Sequence, residues 1–173
     1  NYKDGFEGVR DRLIIEMFYA TGIRLSELIG LKDQDVDFYN STLRVLGKRN
    51  KQRIIPFGVE LKSDISDYIK IRDEYFTEGN KSRSLFVLKS GDAMYPLKVY
   101  NLVKRSLAKF VSIKKKSPHV LRHTFATSML NNDASLEAIK ELLGHESLET
   151  TQVYTHTTFE QLKKVYEQAH PRA

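Results

Sequence analysis

The chain has 173 residues and no cysteine. That excludes disulfide bonds, thiolate metal sites and a cysteine nucleophile together, and leaves the compartment open. No apolar run approaches the ~20 residues of a membrane span, and no signal peptide leads the chain. Internal repeats and low-complexity segments are absent too. Apolar residues make up 40% of the chain, which is ordinary for a soluble fold. A chain this long buries on the order of 70% of its unfolded surface and needs no staples. At roughly 150 residues per domain, the length predicts one domain, at most with a small appendage.

Acid is missing from two stretches. Between Phe38 and Val59 the only charges are Arg44, Lys48, Arg49, Lys51 and Arg53, giving +5. Between Ala93 and Asn132 they are Lys98, Lys104, Arg105, Lys109, Lys114, Lys115, Lys116 and Arg122, giving +8. The net charge of the whole chain is only +6, so everything outside these windows sums to −7. Two basic windows on an otherwise acidic body read as a surface facing a polyanion, against the plainer reading of two solvated basic faces.

Hydrophobic periodicity predicts a helix from Gly8 to Ala20, with Val9, Leu13, Ile14, Met17 and Phe18 on one face and Gly22 as a left-handed stop. A short helix follows over Ser26 to Leu31. Alternation at Val36 and Phe38, a turn at Tyr39-Asn40, alternation at Leu43 and Val45, a turn at Gly47-Lys48-Arg49-Asn50 and a closing Arg53-Ile54-Ile55-Pro56 predict a small three-stranded antiparallel sheet. Helices dominate thereafter: one marked by Leu61, Ile65, Ile69 and Phe76, and one by Val99, Leu102, Val103, Leu107 and Phe110. Between them lie a polar loop over Glu78 to Ser84 and a short apolar segment, Leu85-Phe86-Val87-Leu88. Ser117-Pro118 opens a further helix, with Leu121 and Phe125 toward the core. Leu136, Ile139, Leu142 and Leu143 mark the next, ending at Gly144. A short helix from Leu148 contains Tyr154. A capping box of Thr157 and Glu160 starts the last, whose apolar face is Phe159, Leu162, Val165 and Tyr166. The fold class is therefore mainly α with one small sheet (α+β).

Five segments carry residues suited to chemistry: Thr21-Gly22-Ile23-Arg24-Leu25-Ser26-Glu27-Leu28; Gly47-Lys48; His119-Val120-Leu121-Arg122-His123; Leu142-Leu143-Gly144-His145; and Thr151-Gln152-Val153-Tyr154-Thr155-His156. Singly, each has a plain structural explanation. Arg24 reads as a surface arginine paired with Glu27, Lys48 as a solvated turn residue, His145 as a buried, hydrogen-bonded histidine and Tyr154 as core. His119 and Arg122 share the first turn of a helix, where cations oppose the dipole unless an external anion completes the site. His119 and His123 have the i, i+4 spacing of two metal ligands. The H-E-x-x-H pattern is missing, however, and no thiolates exist to hold a structural zinc.

Taken together and in order, these segments resemble the catalytic domain of tyrosine recombinases, the lambda-integrase or phage integrase family, with the Xer-like branch nearest. T-G-I-R-L-S-E-L matches the family's first arginine box, S-P-H-V-L-R-H-T-F-A-T its H-x-x-R box, and L-L-G-H and T-T-Q-V-Y-T-H its histidine and nucleophile boxes. The resemblance covers the chain from about Asp11 to the C-terminus.

The resemblance implies site-specific DNA strand exchange through a covalent 3′-phosphotyrosyl intermediate, with no metal, ATP or other cofactor. Tyr154 would be the nucleophile, Arg24 and Arg122 the clamp on the scissile phosphate, His145 a further donor, Lys48 the general acid and His119 a helper in proton transfer. Lys51, three residues on, rivals Lys48, and Arg49 stands where relatives often have glycine. Glu27 would orient Arg24 or is simply structural. The DNA-facing bases would be Arg44, Arg49, Lys51, Arg53, Lys98, Lys104, Arg105, Lys114, Lys115 and Lys116. The partner would be double-stranded DNA in a bacterial cytoplasm. A tetramer, of one or two kinds of subunit, would assemble on two duplexes through the last helix, which in the isolated domain packs in cis. The family's N-terminal clamp domain is expected to be absent, leaving residues 1–173 as the catalytic domain. Two alternatives stand beside this reading: a type IB topoisomerase-like relaxing domain, and a DNA-binding module without chemistry.

Overall fold

The structure, a computed structural model, describes residues 5–79, 82–108 and 117–131. The first helix, α1, spans Phe6–Thr21, and its buried stripe of Phe6, Leu13, Ile14, Met17 and Phe18 follows the 3.6-residue period. It stops at Gly22, whose left-handed backbone (φ 64°) lets its N–H return to the Phe18 carbonyl. Helix α2, Leu25–Gly30, is short and starts at Arg24, with Glu27 in its first turn.

A single 3₁₀ turn then leads into the sheet of β1 (Val36–Asp37), β2 (Thr42–Leu46) and β3 (Gln52–Pro56), antiparallel in the order β1-β2-β3. The register sets Val36 opposite Leu43, Leu43 opposite Ile55 and Val45 opposite Arg53. Alternation makes one face of this sheet apolar, and Arg53 falls on that face beside Ile55. The expected sheet is thus present, with β1 reduced to two residues.

Helix α3, Val59–Tyr75, buries Leu61, Ile65, Tyr68 and Arg72. The sequence pattern had pointed to Ile69 and Phe76 in place of the last two; both are only half-buried, and Phe76 ends the helix rather than belonging to it. The exchange has a physical cause in the Leu85-Phe86-Val87 segment, which is fully buried. Buried backbone carbonyls need donors. The Tyr68 hydroxyl donates to the Leu85 carbonyl at 3.0 Å, Arg72 Nη1 donates to the same oxygen at 3.1 Å, and Arg10 Nη1 donates to the Val87 carbonyl at 3.1 Å. Arg72 also forks onto Asp33 with two bonds of 2.7 Å. These two arginines are therefore internal struts, tying α1, α3 and the 3₁₀ turn to one extended segment.

Helix α4, Pro96–Leu107, places proline in its first turn and buries Val99, Leu102, Val103 and Leu107. Helix α5, Pro118–Asn131, buries Leu121, Phe125 and Met129 and packs on α1, which also packs on α3. Among the described residues no helix is long and apolar enough to cross a membrane. Phe110, Lys109, Lys114–Lys116 and the helices expected after residue 131 lie outside the described residues.

Candidate functional site

The site begins where α1 ends. Because Gly22 turns the chain sharply, Arg24 arrives at the N-terminus of α2, and Glu27 in the first turn reaches back to it. Glu27 Oε2 accepts the Arg24 backbone N–H at 2.9 Å, and Oε1 accepts Arg24 Nη1 at 3.2 Å. A second guanidinium occupies the same carboxylate: Arg53 Nε donates to Oε1 at 3.1 Å and Arg53 Nη2 to Oε2 at 2.7 Å. The Glu27 side chain is 1% exposed and that of Arg53 5%, whereas Arg24 keeps 34% of its side chain open.

Burial pushes the Glu27 carboxyl upward, but the charge and hydrogen bonds of Arg53, with the Arg24 amide and charge, outweigh it and hold the group below its usual range. It is therefore ionised at neutral pH. Arg122, on α5, is the fourth member. Burial, then the charges of Arg24 and Arg53, push its guanidinium down to about 10, against the pull of Glu27. Among the described residues, Arg24 and Arg53 are bonded to this carboxylate and Arg122 feels its charge, so three guanidiniums gather near one carboxylate in a half-dry setting. An anion with a forked oxygen pattern is the natural complement.

The β2–β3 hairpin borders this cluster. A methyl group built on Gly47 would lie 3.7 Å from Glu27 Oε1 and 4.0 Å from Arg24 Nη1, so the hairpin's neck runs directly past the pair. The turn is closed by Gly47 N–H to the Lys51 carbonyl at 2.7 Å and by Lys51 N–H to the Lys48 carbonyl at 3.3 Å. Arg49 and Asn50 both adopt positive φ, 59° and 56°. Lys48 and Lys51 are both exposed at this tip, as is His119 one turn before Arg122.

Of the residues singled out in the sequence, the structure brings together Arg24, Glu27, Arg122 and the hairpin bearing Lys48, with His119 on the same turn as Arg122. His145, Tyr154 and Lys114–Lys116 lie outside the described residues. Among the bases expected to face DNA, Arg49, Lys51, Lys104 and Arg105 are exposed and Lys98 is half-buried. Arg44 is on the outer side of β2 and pairs with Asp35 at 3.0 Å. Arg53, also expected to face DNA, points inward onto Glu27 and leaves only 5% of its side chain exposed. The signal was present in the strand, because Arg53 is two residues from the core residue Ile55 and so shares its face.

Among the described residues, three arginines thus gather around one carboxylate beside a basic hairpin in a chain of mixed α and β structure, a chemistry that suits an oxyanion such as phosphate. The phage integrase family model matches residues 2–161, and the chain belongs to that family. Within it, the chain is 44% identical over 172 residues to tyrosine recombinase XerC of Chlorobaculum tepidum, covering 97% of this chain and 51% of the relative. It is 42% identical to XerC of Staphylococcus aureus, covering 99% of this chain and 57% of that one. The chain thus spans about half the length of the curated relatives it matches. Among solved structures it is similar to XerA recombinase, with a TM-score of 0.67 and 32% identity over 95% of this chain and 64% of the other. It is also similar to XerH bound to a palindromic difH substrate after cleavage, with a TM-score of 0.73 and 29% identity over 94% of this chain and 46% of the other.

Proposed function

We propose that residues 1–173 form the catalytic domain of a site-specific DNA recombinase that cleaves and rejoins strands through a tyrosine. The observation that carries this is the Arg24–Glu27–Arg53–Arg122 cluster. It is a cluster rich in positive charge in which the Arg24 side chain is 34% exposed, in a chain that carries the family's boxes. Cleavage of a phosphodiester passes through a state with extra negative charge on the non-bridging oxygens. Arg24 and Arg122 supply fixed cations at that point, and their cost has already been met during folding. Burial and the nearby charges of Arg24 and Arg53 work against the Arg122 charge, and a bound phosphate would offset them.

Tyr154 attacks the phosphorus and forms the 3′-phosphotyrosyl bond while the bond to the 5′-oxygen breaks. Lys48 delivers the proton that the leaving oxygen takes up, His119 assists removal of the tyrosine proton, and His145 donates to a phosphate oxygen. A 5′-hydroxyl from a second duplex then reverses the step. Each transesterification exchanges one phosphate ester for another, so no nucleotide is consumed. Double-stranded DNA is the substrate, with Arg44, Arg49, Lys51, Lys98, Lys104, Arg105 and Lys114–Lys116 as the backbone-facing bases. XerH, a neighbour in fold, was solved on its DNA substrate, which supports this partner. Assembly of four copies on two duplexes through the last helix, and a cytoplasmic setting, belong to the same proposal.

The test is a nicked suicide duplex carrying a site selected from random sequences. A covalent protein–DNA adduct that survives denaturation and is lost in Tyr154→Phe supports the reading, and an unchanged yield in chelator agrees with it. Binding without any adduct would instead make the chain a DNA-binding module. Relaxation of supercoiled plasmid lacking the site would make it a topoisomerase-like enzyme.

A further inference from the structure

We infer that Arg53 is a positioning residue for strand cleavage: through the buried Glu27 it fixes Arg24 and holds the neck of the Lys48 hairpin beside it. The inference deepens the proposed reaction and rests on that reading of the site. Arg53 itself lies outside the family's sequence boxes, whereas Arg24 and Glu27 belong to the first of them. Glu27 receives four hydrogen bonds, two from Arg24 and two from Arg53, so its carboxylate is shared between the arginine on α2 and a strand of the sheet.

Arg53 belongs to β3, the strand that leaves the hairpin, and Gly47 at the end of β2 packs against the same pair. One carboxylate therefore joins two parts of the site that are distant in sequence: the arginine entering α2 and the turn presenting Lys48. The fork also keeps Glu27 charged. A buried carboxylate without Arg53 would take up a proton more readily, lose acceptor capacity toward Arg24, and release that guanidinium to other rotamers. Lysine at this position would keep the charge but reach only one oxygen at a time. Arg53 is remote from solvent, so it acts through Glu27 and Arg24 and does not itself meet the phosphate.

The experiment compares the chain with Arg53→Lys, Arg53→Met and the double variant Arg53→Met/Glu27→Gln. Single-turnover cleavage of the nicked duplex, affinity for the intact duplex, thermal melting and the pH profile of cleavage are measured on each. Arg53→Met is expected to cleave about 100-fold more slowly, the loss produced by ångström-scale misplacement of a catalytic group. Its duplex affinity is expected to stay within about threefold, since affinity comes from exposed phosphate-facing bases. The acid limb of its pH profile moves upward as Glu27 protonates more easily, and Arg53→Lys recovers part of the rate.

The double variant removes both buried charges, so it melts closer to the wild type while still cleaving slowly. A double variant that regains rate together with stability would show that Arg53 serves folding alone, and would overturn the inference. So would wild-type cleavage in Arg53→Met. A wild-type chain that forms no adduct would instead overturn the reading of the site, and the inference with it.

Discussion

Replacing Glu27 by glutamine tests the charge balance of the site directly. The substitution keeps the side chain's size and one acceptor oxygen, removes the negative charge and puts an NH2 donor where the second oxygen had accepted. Arg53, 5% exposed, then loses the carboxylate that offsets its desolvation. Breaking a buried pair by removing one partner costs about 3–5 kcal/mol. The Arg24 contact adds little, because a guanidinium 34% exposed is screened by water, and such pairs contribute about 0–1 kcal/mol. Hydrogen bonds retained by the glutamine oxygen return about 1 kcal/mol. The expected net loss at pH 7 is therefore about 3 kcal/mol, or roughly 6–12 °C in melting temperature for a chain of this size.

Urea and thermal melts followed by circular dichroism measure this loss, first in chloride and then with added sulfate. Sulfate should stabilise the variant more than the wild type, because the variant's cluster has lost a negative charge. The pH dependence has a definite sign. The Glu27 carboxyl is held below its ordinary value of 4.5, so its contribution is complete above that value and disappears as pH falls through the folded one. The gap between wild type and Glu27→Gln should accordingly be full at neutral pH and close in acid. A loss below about 1 kcal/mol, or equal sulfate stabilisation of both proteins, would refute the charge argument.

Three further outcomes are expected. Gly22→Ala should cost about 1 kcal/mol in urea titration, because its φ of 64° is left-handed and a side chain there is strained. Arg49→Gly should leave stability unchanged or raise it by about 0.5–1 kcal/mol, since φ of 59° is unfavourable for arginine and free for glycine; a clear loss would mean that the Arg49 side chain holds the hairpin. Lys104→Ala and Arg105→Ala, both exposed on α4, should each lower the slope of log affinity for duplex DNA against log salt by about 1, measured by fluorescence anisotropy across a salt series.

Some of this molecule can be read without coordinates because local rules decide it. The stripe from Leu13 to Phe18 and the glycine that ends it specify α1, and period-two alternation specifies the three strands. Arg24 and Arg122 are legible as a pair through their boxes. The reading faltered where tertiary context overrides local pattern. Tyr68 and Arg72 displace Ile69 from the core side of α3 because a buried extended segment, Leu85 to Val87, needs hydrogen-bond donors that isoleucine lacks. Arg10 is hidden in α1 for the same reason. No window of sequence around these residues contains the carbonyls they serve, which lie as far as 77 positions away.

Arg53 shows the same limit at the site itself. Counted as one of five bases in an acid-free window, it looks interchangeable with its neighbours. Arg44, Lys48, Arg49 and Lys51 are exposed and contribute to a field that any duplex feels at a distance and that salt weakens. Arg53 is buried, bonded in a fixed geometry and little screened, so its charge acts strongly on Glu27 and on Arg122 nearby. The basic window therefore divides into two roles that net charge cannot separate. Apart from Lys48, to which the proposed reaction gives a proton to deliver, the outward bases are expected to be exchangeable at small cost, each acting as a point charge among several. The inward one is expected not to be, because its two bonds to Glu27 share that carboxylate with Arg24. That division follows from the alternation of a single strand, which turns Gln52 and Ile54 away from the core and Arg53 toward it.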